Sequence, residues 1–328
     1  MSSVDEGAAV FRASPSLALL KYWGKRPRGV NLPATPSLAV TLGGIETVTE
    51  ARLGEGGDRV TVDGEDQDGS RYAPLFHAIR REAGADACFT VESRNGFPAS
   101  AGLASSSSGL AALTCACAAA AGARLSARRL SSLSRIGSAS AARSIFGGFV
   151  LLRAGARWAE QLYPPEHWSR LRIVAAVVSE LRKPLSSRRA MERVRSTSPA
   201  YRSWVRTSRA LLPDALRALG DRDLEKLGEI GRISAMRMHA TMLAADPPFC
   251  YWLPATVAVI EECRRMRRDG VGAWETMDAG PQVKILCDVD DVDAVTRRVG
   301  QAAFGTDLLV CAPGQGARRM AGVERPWG

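Results

Sequence analysis

A serine- and glycine-rich segment carries the strongest chemical signal in this 328-residue chain. Residues 98–109 read PASAGLASSSSG and lead directly into an alanine-rich stretch that predicts a helix over residues 110–123. Small residues let the backbone approach a ligand closely, and the unpaired amides at a helix N-terminus favour phosphate oxygens. No GKS or GKT follows, so this is not a Walker A loop. A flexible linker rarely runs straight into an apolar helix, and we therefore predict a phosphate-binding loop.

Two lysines and two aromatic residues cluster at the end of an apolar strand predicted over residues 16–20. Residues 21–25 read KYWGK, and NLP follows at positions 31–33. Two lysines four positions apart usually belong to a solvated face. Two aromatic residues beside a glycine at a strand end are typical of an anion site, so the anion site and the solvated face are equally well supported.

Two further segments have both a structural and a chemical interpretation. Ser138 and Ser140 can cap a helix that begins near Ala141, and the guanidinium of Arg143 can hold a phosphate or a carboxylate. Capping and anion binding stay equally open at this point. Asp278 begins the sequence DAGP between two predicted strands, where turn preferences alone explain the residue types. A catalytic aspartate is the alternative.

The elements around these segments indicate an α+β protein. In the first half, short β-type runs alternate with turns and with a helix over residues 73–83; the runs are 16–20, 37–42, 46–53, 59–63 and 88–93. Beyond residue 185 the pattern is mainly helical, over residues 186–212 and 216–243, and two strands at 272–277 and 282–287 flank the Asp278 turn. Strands and helices do not alternate strictly, which disfavours a doubly wound sheet. We predict two domains, residues 1–184 and 185–328.

Composition excludes several classes of protein. Hydrophobic residues make up 46% and charged residues 24%, as in a globular protein rather than a disordered or fibrous one. The seven scattered cysteines form no CxxC pair, which predicts buried thiols in a reducing compartment. The first fifteen residues lack a basic start followed by an apolar block, and no apolar run is long enough to span a bilayer. We expect a soluble cytoplasmic protein without a signal peptide or a membrane association.

The net charge of +10 favours anionic partners, which include nucleic acids and phosphorylated metabolites. A basic nucleic-acid-binding protein would explain both this charge and the run RRMRR at residues 264–268. No RNA-binding or zinc-finger signature accompanies the run. We therefore expect a small-molecule ligand and no nucleic acid.

Taken together and in this order, the four segments resemble the diphosphomevalonate decarboxylases of the GHMP kinase superfamily. The resemblance spans residues 18–281 and rests on ALLKYWGK (18–25), NLP (31–33), GFP (96–98), AGLASS (101–106), GSASAARS (137–144) and MDAGP (277–281). Two weaker stretches agree: SSRRAM (186–191) with TSP (197–199), and MHAT (238–241) with PPF (247–249).

Three departures from the family pattern stand out. Ala190 replaces the usual glycine, Gln282 replaces the asparagine that normally follows DAGP, and an arginine of many relatives has no counterpart near residues 63–66. We expect these departures to bear on substrate preference more than on reaction type.

The resemblance implies a GHMP-kinase-like fold with a ribosomal-protein-S5-like N-terminal half and a ferredoxin-like C-terminal half. The active site would lie in the cleft between them. The reaction implied is the ATP-dependent decarboxylation of (R)-5-diphosphomevalonate, in which the 3-hydroxyl is phosphorylated and phosphate and CO2 then leave. ATP and Mg2+ are the implied cofactors, and relatives are often homodimers.

Roles for individual residues follow from the same resemblance. Asp278 matches the catalytic aspartate, and Lys25 would neutralise developing charge beside it. The ATP phosphates would lie against the loop and the first helical turn, with Ser106 holding Mg2+; these positions are Ser100, Ala101, Gly102, Leu103, Ala104, Ser105, Ser106 and Ser107. The substrate would contact Lys21, Tyr22, Trp23, Gly24, Lys25, Ser138, Ala139, Ser140, Ala141, Ala142, Arg143, Arg188 and Thr197.

Two other activities of the superfamily compete with this one. A phosphomevalonate decarboxylase would use the monophosphate, and a mevalonate 3-kinase would phosphorylate without decarboxylating. Lys21, Lys25 and Asp278 together favour a complete decarboxylase. Arg143 and Arg188 favour a substrate that carries a second phosphate.

Overall fold

The structure, a computed structural model, describes residues 8–27, 29–97, 105–179, 181 and 184–320, with the side chain of Ser105 left out. Within these ranges the strands are β1 Ala8–Ala13, β2 Ser16–Leu20, β3 Ser37–Gly43, β4 Thr47–Gly54, β5 Arg59–Val62, β6 Glu65–Asp66, β7 Cys88–Asn95, β8 Phe149–Leu152, β9 Glu160–Tyr163, β10 Leu171–Val177, β11 Trp274–Met277, β12 Val283–Asp288, β13 Asp307–Pro313 and β14 Arg318–Arg319. The helices are α1 Ala73–Ala83, α2 Ser105–Ala120, α3 Ala127–Gly137, α4 Ala141–Ser144, α5 Ser187–Thr197, α6 Tyr201–Ala210, α7 Leu212–Asp221, α8 Leu224–Leu243, α9 Pro254–Arg268 and α10 Val292–Ala302. This is the α+β fold that the sequence predicts.

The strands form two sheets. One has the order β14-β1-β4-β7-β5-β6, in which β5 pairs with β7 in parallel and its other pairs are antiparallel. Helix α2 packs against β1 and β4, and its alanines allow this close approach because Ala111, Ala112 and Ala116 are fully buried. The Ser-rich N-terminal turn of α2 is thereby held at a fixed place on the sheet.

The second sheet has the order β11-β12-β10-β13-β3-β8-β9, with β2 paired on β3. Two residue pairs, Ala312 with Gly43 and Pro313 with Leu42, join the strands β2, β3, β8 and β9 to the strands β10, β11, β12 and β13 in one sheet. Strand β10 lies between β12 and β13. In this order four strands separate β11, which leads into DAGP, from β2, which leads into KYWGK, so strand pairing by itself does not make the two strand ends neighbours.

Helix α8 lies across this sheet and packs against both β2 and β11. Two glycines permit the contact. A Cβ on Gly228 would lie 2.2 Å from Cγ of Trp274, and a Cβ on Gly231 would lie 3.3 Å from the carbonyl oxygen of Leu19. At Gly228 a side chain would clash with the tryptophan ring, and at Gly231 a side chain would press on the backbone of β2, so both glycines favour the close approach of the helix.

Candidate active site

Lys21 and Asp278 form an ion pair at the ends of β2 and β11. Lys21 Nζ lies 2.8 Å from Asp278 Oδ1 and also donates to the carbonyl oxygen of Ala18 at 2.9 Å. The lysine side chain is only 1% exposed, whereas the aspartate side chain is 31% exposed. The carboxylate therefore has a buried cation on one side and an open face on the other.

Burial and neighbouring charges shift the pKa of each member of this pair in opposite directions. Burial lowers the pKa of Lys21, and the charge of Asp278 partly restores it. For Asp278, burial would raise the pKa, but the charges of Lys21, Lys284 and Arg143 together lower it to about 2. The carboxylate is consequently ionised at neutral pH and available to a polar group that approaches its open face.

Arg143 supplies a second buried cation near the aspartate. It lies in α4, is 3% exposed, and donates to the hydroxyls of Ser16, at 3.4 Å, and of Ser37. Burial lowers its pKa to about 10, against the opposing effect of Asp278. The guanidinium still carries its charge at neutral pH, so Lys21 and Arg143 both present positive charge to the site.

Tyr22 adds a buried hydroxyl to the site. Its hydroxyl is buried and makes no hydrogen bond to any residue that the structure describes. Burial raises the pKa of Tyr22, which keeps the phenol neutral. Buried polar atoms are rarely left unpaired, and this one can pair with an oxygen of a bound anion.

Lys25 is anchored by the asparagine of the NLP segment. Its Nζ donates to Asn31 Oδ1 at 2.6 Å, and Asn31 Nδ2 donates to the carbonyl oxygen of Ile136 at 2.7 Å. The lysine that contacts Asp278 is therefore Lys21, whereas Lys25 is tied to the end of α3. Burial, with the nearby charge of Arg188, lowers the pKa of Lys25. Neutralisation of charge beside Asp278 by Lys25 stays a prediction.

The middle of the KYWGK segment packs against α6. Trp23 is 2% exposed, and its carbonyl oxygen accepts a hydrogen bond from Trp204 Nε1 at 2.9 Å. Gly24 has φ +100°, and a Cβ there would lie 2.2 Å from Tyr201 Oη. The structure thus uses these two residues to turn the chain between Lys21 and Lys25.

The serines before α4 do not serve as side-chain caps. The helix begins at Ala141, as predicted, but Ser140 makes no capping hydrogen bond through its hydroxyl. The hydroxyls of Ser138 and Ser140 instead lie 2.9 Å from each other. Ala139, Ala141 and Ala142, which adjoin these serines, are buried. Capping therefore does not account for the two serines, and anion binding by them stays a prediction.

The two predicted substrate residues of α5 differ in their surroundings. Arg188 lies exposed in the first turn, after Ser186, whose hydroxyl caps the helix by accepting from the amide of Arg189. Thr197 ends the helix, donates to the carbonyl oxygen of Arg193 at 2.8 Å and accepts from the amide of Asp246 at 2.9 Å. The hydroxyl of Thr197 therefore holds a loop in place, and Arg188 presents a solvated guanidinium.

Of the predicted ATP loop, Ser100, Ala101, Gly102, Leu103 and Ala104 lie outside the described residues, as does the side chain of Ser105. Ser106 is exposed in the first turn of α2, and that turn contains no acidic residue.

The next serine, Ser107, is buried, and its hydroxyl accepts from the amide of Ser16 at 3.4 Å. A cavity of about 130 Å³ adjoins Ser106 and is lined by both polar and apolar residues: Val62, Gln67, Arg71, Tyr72, Ser93, Asn95, Gly109, Leu110 and Leu113. The described part of the loop region thus offers an acid-free helix start beside a cavity.

His239 lies in the MHAT segment, but its position beside Asp278 could not be predicted from the sequence. The histidine is 2% exposed, and its Nε2 lies 3.1 Å from the carbonyl oxygen of Asp278. Burial and the charge of Lys21 lower its pKa to about 4. The imidazole is therefore neutral at physiological pH.

This lowered pKa makes stability depend on pH. An unfolded histidine titrates near pH 6.5, so between about pH 6.5 and 4 the unfolded chain binds the proton more readily, and stability rises with pH. We expect His239 to reduce the free energy of unfolding by about 2 kcal/mol between pH 7 and pH 5. Urea unfolding at both pH values should show a smaller difference for His239→Gln than for the wild type. Equal differences would contradict the assignment.

Two of the three departures from the family pattern now have a structural account. Gln282 joins the end of β10 to β12, because its Oε1 accepts from the amide of Val178 at 2.7 Å and its Nε2 donates to the carbonyl oxygen of Ser179 at 2.5 Å. Ala190 is fully buried beside Trp23 and Trp204, and its methyl group fills space in that core. Both residues therefore contribute to the packing around the site.

In the described ranges, no three His, Cys, Asp or Glu side chains are placed to share a metal ion, and the seven cysteines are free thiols. No helix in those ranges has the length and apolar character needed to cross a membrane. The Lys21–Asp278 pair and the groups around it are therefore the candidate active site.

Comparison with known proteins gives one consistent result. The family model for the diphosphomevalonate decarboxylase-like N-terminal domain matches residues 13–163, and that for the mevalonate 5-diphosphate decarboxylase C-terminal domain matches residues 173–311. The diphosphomevalonate decarboxylase of Gibberella zeae is 33% identical over 331 residues, which cover 90% of this chain and 86% of the relative.

Solved structures agree with these sequence matches. The mevalonate diphosphate decarboxylase of Staphylococcus aureus superimposes with a TM-score of 0.90 at 32% identity, covering 96% of this chain and 98% of that one. A complex of MDDEF with MVAPP, AMPPCP and magnesium gives a TM-score of 0.90 at 34% identity, covering 96% and 99%.

Proposed function

The chain belongs to the diphosphomevalonate decarboxylase family, and from this premise we propose that it converts (R)-5-diphosphomevalonate and ATP to isopentenyl diphosphate, ADP, phosphate and CO2. The observation that carries the proposal is the ionised Asp278 carboxylate, held by buried Lys21 with its other face open. Relatives at 31–33% identity are diphosphomevalonate decarboxylases, and we apply their reaction to this chain.

The chemistry suits these charges. The 3-hydroxyl oxygen attacks the γ-phosphorus of ATP and gives up its proton, with ADP as the leaving group. The C3–O bond then breaks as phosphate departs, the electron pair of the bond to the carboxylate forms the double bond, and CO2 leaves. Phosphoryl transfer depends mainly on positioning and charge neutralisation, which the cations Lys21 and Arg143 would supply.

The low pKa of Asp278 defines its part in this reaction. A carboxylate with a pKa of about 2 is a weak base, so it would act mainly by accepting a hydrogen bond from the 3-hydroxyl and fixing its direction of attack. Proton transfer to Asp278 would become favourable only as the hydroxyl oxygen bonds to phosphorus. We propose Asp278 as the catalytic residue, Lys21 as the cation that pairs with it, and Lys25 as a further cation that would neutralise charge on the bound substrate.

The described residues near Ser106 fit the phosphate end of a nucleotide and Mg2+. The first turn of α2 exposes Ser106 and contains no carboxylate that would repel phosphate, and the adjoining cavity of about 130 Å³ combines amide and hydroxyl groups with apolar walls. When bound, Mg2+ would neutralise phosphate charge, and the Ser106 hydroxyl is the oxygen donor we propose for it.

The test is to supply ATP and Mg2+ with mevalonate, its 5-phosphate or its 5-diphosphate, and to follow ADP and CO2 separately. We expect both products in equal amounts, with the 5-diphosphate as the preferred substrate. ADP without CO2 would identify a 3-kinase instead. A preference for the 5-phosphate would identify a phosphomevalonate decarboxylase.

Ser106→Ala tests the proposed metal site. It removes a hydroxyl ligand from a cation that prefers oxygen donors, so the Mg2+ concentration for half-maximal rate should rise. Ser203→Ala, at an exposed serine of α6, is the matched control and should leave this concentration unchanged. An unaltered Mg2+ dependence in Ser106→Ala would mean that the hydroxyl does not hold the metal.

Three further features remain proposals. The division into domains 1–184 and 185–328 is retained from the sequence analysis. We also propose a cytoplasmic homodimer, in line with the reducing environment that seven free thiols favour. Light scattering after size-exclusion chromatography would test the dimer directly.

A further inference from the structure

Helix α8 contacts the backbone of both members of the reacting ion pair. The amide of Lys21 donates to Ser234 Oγ at 3.0 Å, and both residues are buried. His239 Nε2 lies 3.1 Å from the carbonyl oxygen of Asp278. Since a carbonyl oxygen can only accept, the histidine donates its Nε2–H. One rigid helix therefore holds the chain on each side of the pair.

The glycine contacts of α8 lie on the two helix faces that hold Asp278 and Lys21. Eleven positions, about three helical turns, separate Gly228 from His239, so the two lie on nearly the same face. That face packs on Trp274, at the start of β11, and holds Asp278, which follows the end of this strand. Gly231 and Ser234 lie on the adjacent face, towards Leu19 and Lys21.

We propose that α8 positions the ion pair, with Ser234 fixing the backbone of Lys21 and His239 fixing the backbone of Asp278. The inference rests on the proposed function, because it assigns the pair to the chemical step. His239 is a positioning residue, since its ring hydrogen-bonds to the main chain of Asp278 and packs beside the ring of Trp252. The Nδ1 atom of the buried ring makes no hydrogen bond to any described residue, so Nε2 makes the hydrogen bond of this ring within the described part of the chain.

The kinetic test compares His239→Phe with His239→Gln. Phenylalanine keeps a buried ring without a donor, whereas glutamine keeps an N–H at a similar reach. A displacement of about 1 Å can cost on the order of a hundredfold in rate, so we expect kcat of His239→Phe to fall about tenfold to a hundredfold. KM for ATP and for 5-diphosphomevalonate should change less than about twofold, and His239→Gln should recover most of the lost kcat.

Two more variants separate positioning from simple destabilisation. Ser234→Ala removes the acceptor of the Lys21 amide and should lower kcat in the same way. Ile230→Val, on the same helix and 4% exposed, packs in the core without contacting the pair. It should lower the midpoint of urea unfolding while kcat stays at the wild-type value. Equal losses of kcat in His239→Phe and His239→Gln, or a wild-type kcat in both, would overturn the proposal.

A measurement that needs no turnover completes the test. A double-mutant cycle of Lys21→Met and Asp278→Asn, measured by urea unfolding, gives the coupling free energy between the two side chains. This free energy depends on how precisely the ion pair is positioned. We expect this coupling to fall to half or less in the His239→Phe background and to persist in the His239→Gln background. Unchanged coupling in His239→Phe would overturn the inference. A wild type that releases no CO2 would refute the proposed function, and the coupling would still decide the role of α8.

Discussion

Asp278→Asn should abolish turnover while leaving ATP and substrate binding largely intact. Asparagine keeps the size of the side chain but loses the charge that accepts a hydrogen bond from the 3-hydroxyl. A positioned acid–base group contributes about 10²–10⁴-fold to rate, and we expect kcat to fall by that factor with KM little changed. Steady-state release of ADP and CO2 measures kcat, and calorimetric titration measures the two affinities.

The variant also leaves Lys21 buried without its ionic partner, which destabilises a protein. Circular dichroism and the unfolding midpoint must therefore accompany the kinetics. Asp288→Asn is the matched control, because Asp288 also ends a strand and pairs with an arginine, Arg170, but lies away from Lys21. It should keep the wild-type kcat. If Asp278→Asn retained more than about a third of wild-type kcat, the catalytic assignment would fail.

Local patterns predicted most of the regular elements. The helix over residues 73–83 is confirmed without change as α1, because its apolar spacing and the glycine that follows it are both local signals. The predicted helix over 110–123 begins earlier, at Ser105. Serine is a modest helix former, but Ser107 and Ser108 are buried, and Ser108 Oγ lies 2.7 Å from Thr47 Oγ1. Tertiary contacts therefore extend this helix at its N-terminus, over serines that helix propensity alone would leave out.

Other elements depend on partners that are distant in the chain. Strand β1 was not predicted, and it forms between β4 and β14, the latter some 300 residues away. The helical pattern at 186–212 is not one helix, since the helix is interrupted between Thr197 and Tyr201. The pattern at 216–243 also breaks, where Asp223 caps α8 through the amide of Lys226 at 2.9 Å.

The site shows the same limit. The motifs named Lys21, Arg143 and Asp278, but only the fold shows that Lys21 is the lysine paired with the aspartate. Spacing along the chain cannot reveal this, because 257 positions separate the two residues. The role of His239 could not be read from MHAT either, since it depends on the carbonyl oxygen of a turn that follows β11. Residue types thus indicated the chemistry, and the tertiary fold determined the partners.

Arg188→Ala should raise KM for 5-diphosphomevalonate and narrow its advantage over the 5-phosphate. Arg188 is exposed in the first turn of α5, and its positive charge acts on both Lys25 and Tyr22. Among the described residues no carboxylate forms an ion pair with Arg188, so a cation whose charge acts on two other members of the site is well placed for a phosphate. A guanidinium matches two phosphate oxygens at once. Losing one such charged hydrogen bond should cost about tenfold to a hundredfold in kcat/KM.

The neighbouring arginine supplies the matched control. Arg189 is also exposed on the first turn of α5, so Arg189→Ala removes the same charge from the same helix but from a direction about 100° away around its axis. If the effect of Arg188 were only a general field on an anionic substrate, both variants would weaken binding alike and lose that effect at high salt. A direct contact instead predicts that Arg188→Ala alone loses discrimination between the two substrates, measured as the ratio of their kcat/KM values. A wild-type ratio in Arg188→Ala would show that the arginine is a solvated surface residue and that the second phosphate is held by other groups.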